Sequence, residues 1–209
     1  MEVDGKKVLV LGAGKSGINS ATLLSSNGAT VALHDRKPLA EWSDEARSLK
    51  DTHGVGLIDG KLPSWLLDQI ELVVISPGVP TGVIPARYVE RKDGEVIGEV
   101  ELAWRFLNNR FVGITGSNGK TTTTSLVGSL LNNAGVDAIV GGNIGTPLVS
   151  LVGKAKDEWI VAELSSFQLE TIRSFRPRVG ICLNVTPNHM DRYDLFTDYA
   201  AAKYRLFMN

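Results

Sequence analysis

At 209 residues, with 43% hydrophobic and 22% charged residues, the chain can bury a sizeable core and does not have the composition of a disordered segment. It is longer than a usual single domain and short for two complete α/β domains, so one whole domain plus part of a second is expected. Its 22 Lys and Arg against 23 Asp and Glu leave no basic surplus for a phosphate backbone or an anionic bilayer, which argues against nucleic acid or membrane as a main partner.

The first seven residues lack the apolar stretch and small-residue cleavage site of a signal peptide, and no run is long enough to span a bilayer, so the cytoplasm is the expected compartment. The first apolar run, 8–11, leads into Gly12-Ala13-Gly14-Lys15-Ser16-Gly17 and then into a helical pattern of Ile18, Ala21 and Leu24 that stops at Asn27-Gly28. A second run, 30–33, is followed by Asp35. A third, 72–75, is followed by Ser76. Runs of this kind, rich in Val, Ile and Leu without strict alternation and separated by helical patterns, predict parallel strands buried on both faces.

A polar, breaker-rich stretch, Arg91-Lys92-Asp93-Gly94-Glu95, then suggests a domain division near 94–98, giving units of 1–96 and 97–209. The pattern restarts beyond it. Run 111–114 opens into Thr115-Gly116-Ser117-Asn118-Gly119-Lys120-Thr121-Thr122, and a helix follows with Leu126, Val127, Leu130, Leu131 and Ala134 at helical spacing before Gly135. Runs 138–140, 159–162 and 179–183 come next, followed by Asn143, Glu163 and Asn184-Val185-Thr186-Pro187-Asn188-His189. The lone Cys182 sits inside the last run, where a buried core thiol is expected and no intrachain disulfide can form. Residues 199–209 read as a closing helix with Tyr199, Ala200, Lys203 and Phe207 on an inward face, and the second unit is expected to be incomplete. The fold class is α/β, with a Rossmann-like parallel-sheet unit followed by a P-loop-type unit.

Ligands of open parallel sheets lie beyond the carboxyl ends of the strands, where the chemistry-bearing residues of this chain recur. The first glycine turn is a complete G-x-G-x-x-G, but alone it leaves open a dinucleotide cofactor such as NAD with Asp35 on a ribose, a UDP sugar, or a purely structural turn. The second loop is more specific. Its backbone N–H groups would ring phosphates, Lys120 would reach the β/γ oxygens and the Thr121 hydroxyl would sit on Mg²⁺, although Ile114 stands where the usual first glycine would be. Glu163 ends a strand of the same predicted sheet and can add a hard oxygen ligand. His189 by itself carries no metal signature. Lys203 on an inward face is the odd one, since an unmodified ammonium there would repel Mg²⁺.

Residues 111–124, Gly141-Gly142-Asn143-Ile144-Gly145, Glu163-Leu164-Ser165-Ser166-Phe167-Gln168-Leu169-Glu170 and Leu183-Asn184-Val185-Thr186-Pro187-Asn188-His189-Met190-Asp191-Arg192-Tyr193, followed by Ala201-Ala202-Lys203, resemble the Mur ligase family, in particular its D-glutamate-adding branch. The resemblance implies an ATP- and Mg²⁺-dependent, amide-forming ligase of peptidoglycan synthesis. It would act on UDP-N-acetylmuramoyl-L-alanine and D-glutamate through an acyl phosphate, as a monomer, with the amino-acid site on a C-terminal domain absent from this chain. It further implies that Gly14, Lys15, Ser16, Asp35, Arg36 and Ser76 hold the uridine and its diphosphate, while Asn143 and His189 meet the muramoyl-alanine end. ATP falls to Gly116, Ser117, Asn118, Gly119, Lys120, Thr121 and Thr122. Lys203 is then carboxylated to a carbamate that binds metal with Thr121, Glu163 and His189, and Lys120, Glu163, His189 and Lys203 form the catalytic set. Other members of the family, a folylpolyglutamate synthase, and an NAD- or UDP-nucleotide-binding module without ligase activity are the alternatives.

Overall fold

The computed structural model describes residues 1–91 and 94–209, so Lys92 and Asp93 of the expected linker lie outside the described residues. The chain forms two compact units, Met1–Leu102 and Ala103–Asn209. No helix among the described residues is long and apolar enough to cross a membrane.

The first unit runs β1 (Lys7–Leu11), α1 (Lys15–Ser26), β2 (Thr30–Asp35), α2 (Asp44–His53), β3 (Gly56–Asp59), α3 (Ser64–Leu67), β4 (Leu72–Ile75), α4 (Ala86–Val89) and β5 (Glu95–Gly98). Its sheet has the order β3-β2-β1-β4-β5 with every pair parallel. β1 and β4 are central and buried on both faces, which is why Val8–Leu11 and Leu72–Ile75 carry no polar alternation. On one face Leu9, Leu11, Val73 and Ile75 pack with Leu67, Ile70, Ile84 and Tyr88. Ile18, Ala21 and Leu24 of α1 are buried as their spacing predicts. β3 and β5 are not predicted from the sequence. Both are four-residue edge strands, Gly-Leu-Ile-Asp and Glu-Val-Ile-Gly, paired on one side only and so under less demand for a continuous apolar run. β5 extends the sheet of the first unit to Gly98, and α5 (Glu99–Phe106) then runs across the division at Leu102.

The second unit comprises β6 (Phe111–Thr115), α6 (Lys120–Asn133), β7 (Ala138–Gly142), β8 (Trp159–Glu163), α7 (Ser166–Leu169), β9 (Val179–Cys182) and α8 (Phe196–Tyr204), with parallel strand order β7-β8-β6-β9. Val112, Ile114 and Val161 pack on one face with Val127, Leu131 and Val140. Trp104, Phe111 and Phe175 form three edge-to-face pairs at 5.5–5.6 Å.

Three packing expectations are corrected. Leu126 and Leu130 of α6 are more than half exposed, because the inward stripe is Thr124, Val127, Gly128 and Leu131. Gly128 permits this close approach, since a Cβ there would fall 2.5 Å from Val140 Cγ2. The last helix begins at Phe196 and ends at Tyr204, and a 3₁₀ turn, Arg205–Phe207, rotates Leu206 inward and leaves Phe207 52% exposed across Gly180. Cys182, on the edge strand β9, is half-buried rather than sealed, and desolvation raises its pKa.

Candidate functional site

In the first unit the strand order reverses between β1 and β4, the switch point at which open parallel sheets bind ligands. Gly12 leaves β1 with φ 97°, and a Cβ at Gly17 would fall 1.8 Å from Gly12 O, so only glycine lets α1 start this close to the strand. Gly14, by contrast, faces open space. α1 begins without a side-chain cap or an acidic residue in its first turn, a start that suits an anion, with exposed Lys15 and half-buried Ser16 there. Asp35 ties the turn down. Its Oδ2 accepts from Ala13 N–H at 2.9 Å and its Oδ1 from Lys37 N–H at 3.0 Å. Ser76 Oγ donates to Gly12 O at 3.3 Å, and Arg36 is exposed next to Asp35. The six residues expected here do therefore cluster at the carboxyl ends of β1, β2 and β4.

In the second unit residues 116–119 link β6 to α6, again without a side-chain cap. Lys120 Nζ folds back onto Gly116 O at 2.9 Å and Ser117 O at 3.2 Å, holding the ammonium over the loop. Thr121 Oγ1 donates to Glu163 Oε2 at 2.7 Å and Asn143 Nδ2 to Glu163 Oε1 at 2.8 Å, which fixes both oxygens of a carboxylate that is 2% exposed. Asn143 N–H also donates to Glu163 O at 2.8 Å. This approach requires Gly142, whose φ is 100° and whose Cβ would lie 2.4 Å from that same oxygen. Asn118, Gly119, Thr121 and Thr122 are exposed. Ser117 is buried, and its hydroxyl is committed to Thr186 O and N–H at 2.9 Å and to Tyr199 OH at 3.0 Å.

Lys203 is 2% exposed, donates to Gly116 O at 2.8 Å and lies 4.6 Å from the Tyr199 ring centre. Burial lowers its pKa to about 8. His189 is exposed with φ 55°, its ring 5.0 Å from Phe167 and 6.4 Å from Tyr199. Among the described residues it makes no hydrogen bond to Thr121, Glu163 or Lys203, and no three His, Cys, Asp or Glu side chains gather as a metal cluster. The donors that suit Mg²⁺ are thus Thr121 and Glu163. This fits an ion that commonly takes one or two carboxylates and completes its shell with phosphate oxygens and water. Two residues that the sequence places here without a role of their own also contribute, Asn184 and the Tyr199 hydroxyl. Asn184 follows β9 by way of Leu183, at the carboxyl end shared by the other site residues, and only its bonds to Asn118 show what it does there.

Both units therefore belong to the class of parallel α/β domains that carry an uncapped glycine turn at the carboxyl edge of the sheet, the second with a lysine, threonine and glutamate grouped there. Residues 6–98 match the Mur ligase MurD-like N-terminal domain, and residues 114–209 match the Mur ligase middle domain. The chain is similar to the UDP-N-acetylmuramoylalanine–D-glutamate ligases of Koribacter versatilis (48% identical, covering 100% of this chain and 46% of the relative) and Pelotomaculum thermopropionicum (47%, covering 98% and 45%). Among solved structures it is similar to a pseudomurein peptide ligase type C from Methanothermus fervidus, at 22% identity and a TM-score of 0.41, over 97% of this chain and 42% of that one. The chain belongs to the Mur ligase family. It spans about half the length of the curated relatives it matches.

Proposed function

We propose that the chain is the N-terminal portion of an ATP-dependent ligase that joins D-glutamate to UDP-N-acetylmuramoyl-L-alanine in the cytoplasm, as a monomer, during peptidoglycan precursor synthesis. Relatives carrying that name align along the whole chain. The observation that carries the chemistry is the clamp of Thr121 and Asn143 on Glu163 beside a loop bearing Lys120.

In this reading the uncapped start of α1, with Gly14, Lys15, Ser16 and Ser76, takes the diphosphate of the UDP substrate, and Asp35 and Arg36 lie toward the uridine. Asn143 and His189 meet the muramoyl-alanine end. The main chain of Gly116, Ser117, Asn118, Gly119, Lys120, Thr121 and Thr122 wraps the ATP phosphates, with Lys120 swinging from the loop carbonyls onto their oxygens. Thr121 and Glu163 would hold Mg²⁺, with His189 and a Lys203 carbamate as the further ligands the family resemblance implies, and the ion would neutralise phosphate charge. Carboxylation requires a neutral amine, and the lowered pKa of buried Lys203 supplies one more readily than a solvated lysine would.

A substrate carboxylate oxygen bonds to the γ-phosphorus as ADP leaves. The amine of D-glutamate then attacks the acyl carbon, inorganic phosphate departs and the amine gives up a proton. No protein nucleophile is needed, and the loop and Lys120 act by positioning and by matching charge that grows during phosphoryl transfer. The D-glutamate site is assigned to the part of the relatives' length that this chain does not span.

Phosphate release by the full-length ligase should depend on all three substrates. Lys120→Ala should lower turnover about a thousandfold or more, while affinity for the UDP substrate stays within about twofold. Activity of Lys120→Ala within tenfold of the unaltered enzyme, or turnover without D-glutamate, would refute the reading.

A further inference from the structure

Asn184 holds both main-chain polar groups of one residue of the phosphate loop, Asn118. Its Oδ1 accepts from Asn118 N–H at 3.0 Å and its Nδ2 donates to Asn118 O at 3.1 Å, while its own carbonyl accepts from Ser117 N–H at 3.0 Å. Ser117 Oγ, bonded to both polar groups of the Thr186 main chain, adds a second pair of ties between the same two segments. The loop also rides tightly on the segment that follows β9, since a Cβ at Gly116 would lie 3.1 Å from Leu183 Cβ. Asn184 itself is exposed, so these bonds compete with water, and their geometry fixes a loop conformation more than it adds bulk stability.

We propose that Asn184 is a positioning residue for nucleotide binding: it holds Ser117 and Asn118 in the anion-receptive shape before any ligand arrives. The inference rests on the reading of this loop as the ATP site. A consequence follows for the donor set. Because the N–H groups of Ser117 and Asn118 are already spent on Asn184, the phosphates are left those of Gly119, Lys120, Thr121 and Thr122, the first N–H groups of α6, which have no intrahelical acceptor. The loop lacks the first glycine of the longer phosphate-loop pattern, and the Asn184 clamp supplies, from the segment after β9, an ordering that the shorter loop does not contain within itself. A site populated in its binding-competent form for only a fraction of the time loses apparent affinity by that fraction.

The test uses the full-length ligase, Mg²⁺-ATP titration and amide hydrogen exchange. In the unaltered ligase without nucleotide, the Ser117 and Asn118 amides should already be protected, and ATP should add protection at 119–122. Asn184→Ala should weaken ATP binding about tenfold, through loss of preorganisation, with similar losses for ADP and inorganic pyrophosphate. It should expose the Asn118 amide and leave the β6 amides unchanged. A purely structural role would lower β6 protection in step. ATP affinity of Asn184→Ala within about twofold of the unaltered ligase would overturn the inference alone. So would unprotected Ser117 and Asn118 amides in the unaltered ligase, a measurement that stands even if the variant does not fold. No ATP binding by the unaltered ligase would overturn the ATP reading and the inference with it.

Discussion

Lys203 and Lys120 both donate to Gly116 O, at 2.8 and 2.9 Å, yet only Lys203 is sealed from water. With its pKa lowered from 10.5 to about 8 by burial, Lys203 gives up its proton in the folded chain before it does in the unfolded one. Below about pH 8 both states carry the proton and the contribution is flat. Between about pH 8 and 10.5 the unfolded state binds more protons, so stability rises with pH; above that window it is flat again. Urea unfolding of the unaltered chain and of Lys203→Met, in buffers purged of CO₂, should therefore give a stability difference that moves toward the unaltered chain as pH rises from 8 to 10. A difference that moved the other way would mean the amine is not desolvated. Lys120 and Thr121 stood out in the sequence because they follow β6 within a glycine loop of specific chemistry, and Glu163 because it closes a strand of the same sheet. Asn184 follows a strand too, but its partner, Asn118, is 66 positions away, and no local pattern records that pairing. Ser117 fits its motif by main chain only, since its hydroxyl is drawn off by Tyr199.

The strands found from apolar runs are paired on both sides or, at the edges β7 and β9, carry apolar residues packed against Val112, Ile114 and Val161, where burial forces Val, Ile and Leu into sequence. Edge strands β3 and β5 escape that constraint, and helix α6 showed an apolar face wider than the one it buries, because Gly128 and Thr124 do the packing where leucines were expected. The glycine turn of the first unit separates two demands that the sequence shows as one motif. Gly17→Ala places a methyl 1.8 Å from Gly12 O and should destabilise the first unit by about 1–3 kcal/mol or more. Gly14→Ala meets nothing within the protein and should change stability by no more than about 0.5 kcal/mol, yet it should weaken UDP-substrate binding, because its methyl stands where the diphosphate must approach. Thermal unfolding alongside calorimetric titration separates the two. Equal stability losses at both positions would show that the turn is shaped by packing alone.

At the scale of the molecule, two parallel α/β units with separate glycine turns raise the question of which nucleotide goes where, and the first turn alone cannot answer it. Asp35 bears on the choice. In a dinucleotide domain the acid after the second strand is needed for ribose hydroxyls, whereas here both its oxygens already accept main-chain N–H groups, from Ala13 and Lys37, in the ligand-free chain. That leaves it less able to select an adenosine ribose and suits it to holding the turn in shape for a diphosphate. Titration of the 209-residue chain should therefore show UDP-N-acetylmuramoyl-L-alanine binding with protection of the 12–17 amides, and no comparable binding of NAD. The same preparation, given ATP, Mg²⁺, UDP-N-acetylmuramoyl-L-alanine and D-glutamate, should release no phosphate that depends on D-glutamate. Amide formation needs the amine held against the acyl carbon, a proximity contribution of roughly 7–11 kcal/mol, and the proposed amino-acid site lies in the portion of the relatives outside the 46% this chain covers. Tight NAD binding would reassign the first unit. D-glutamate-dependent turnover at the rate of a full-length relative would move the amino-acid site into these two units.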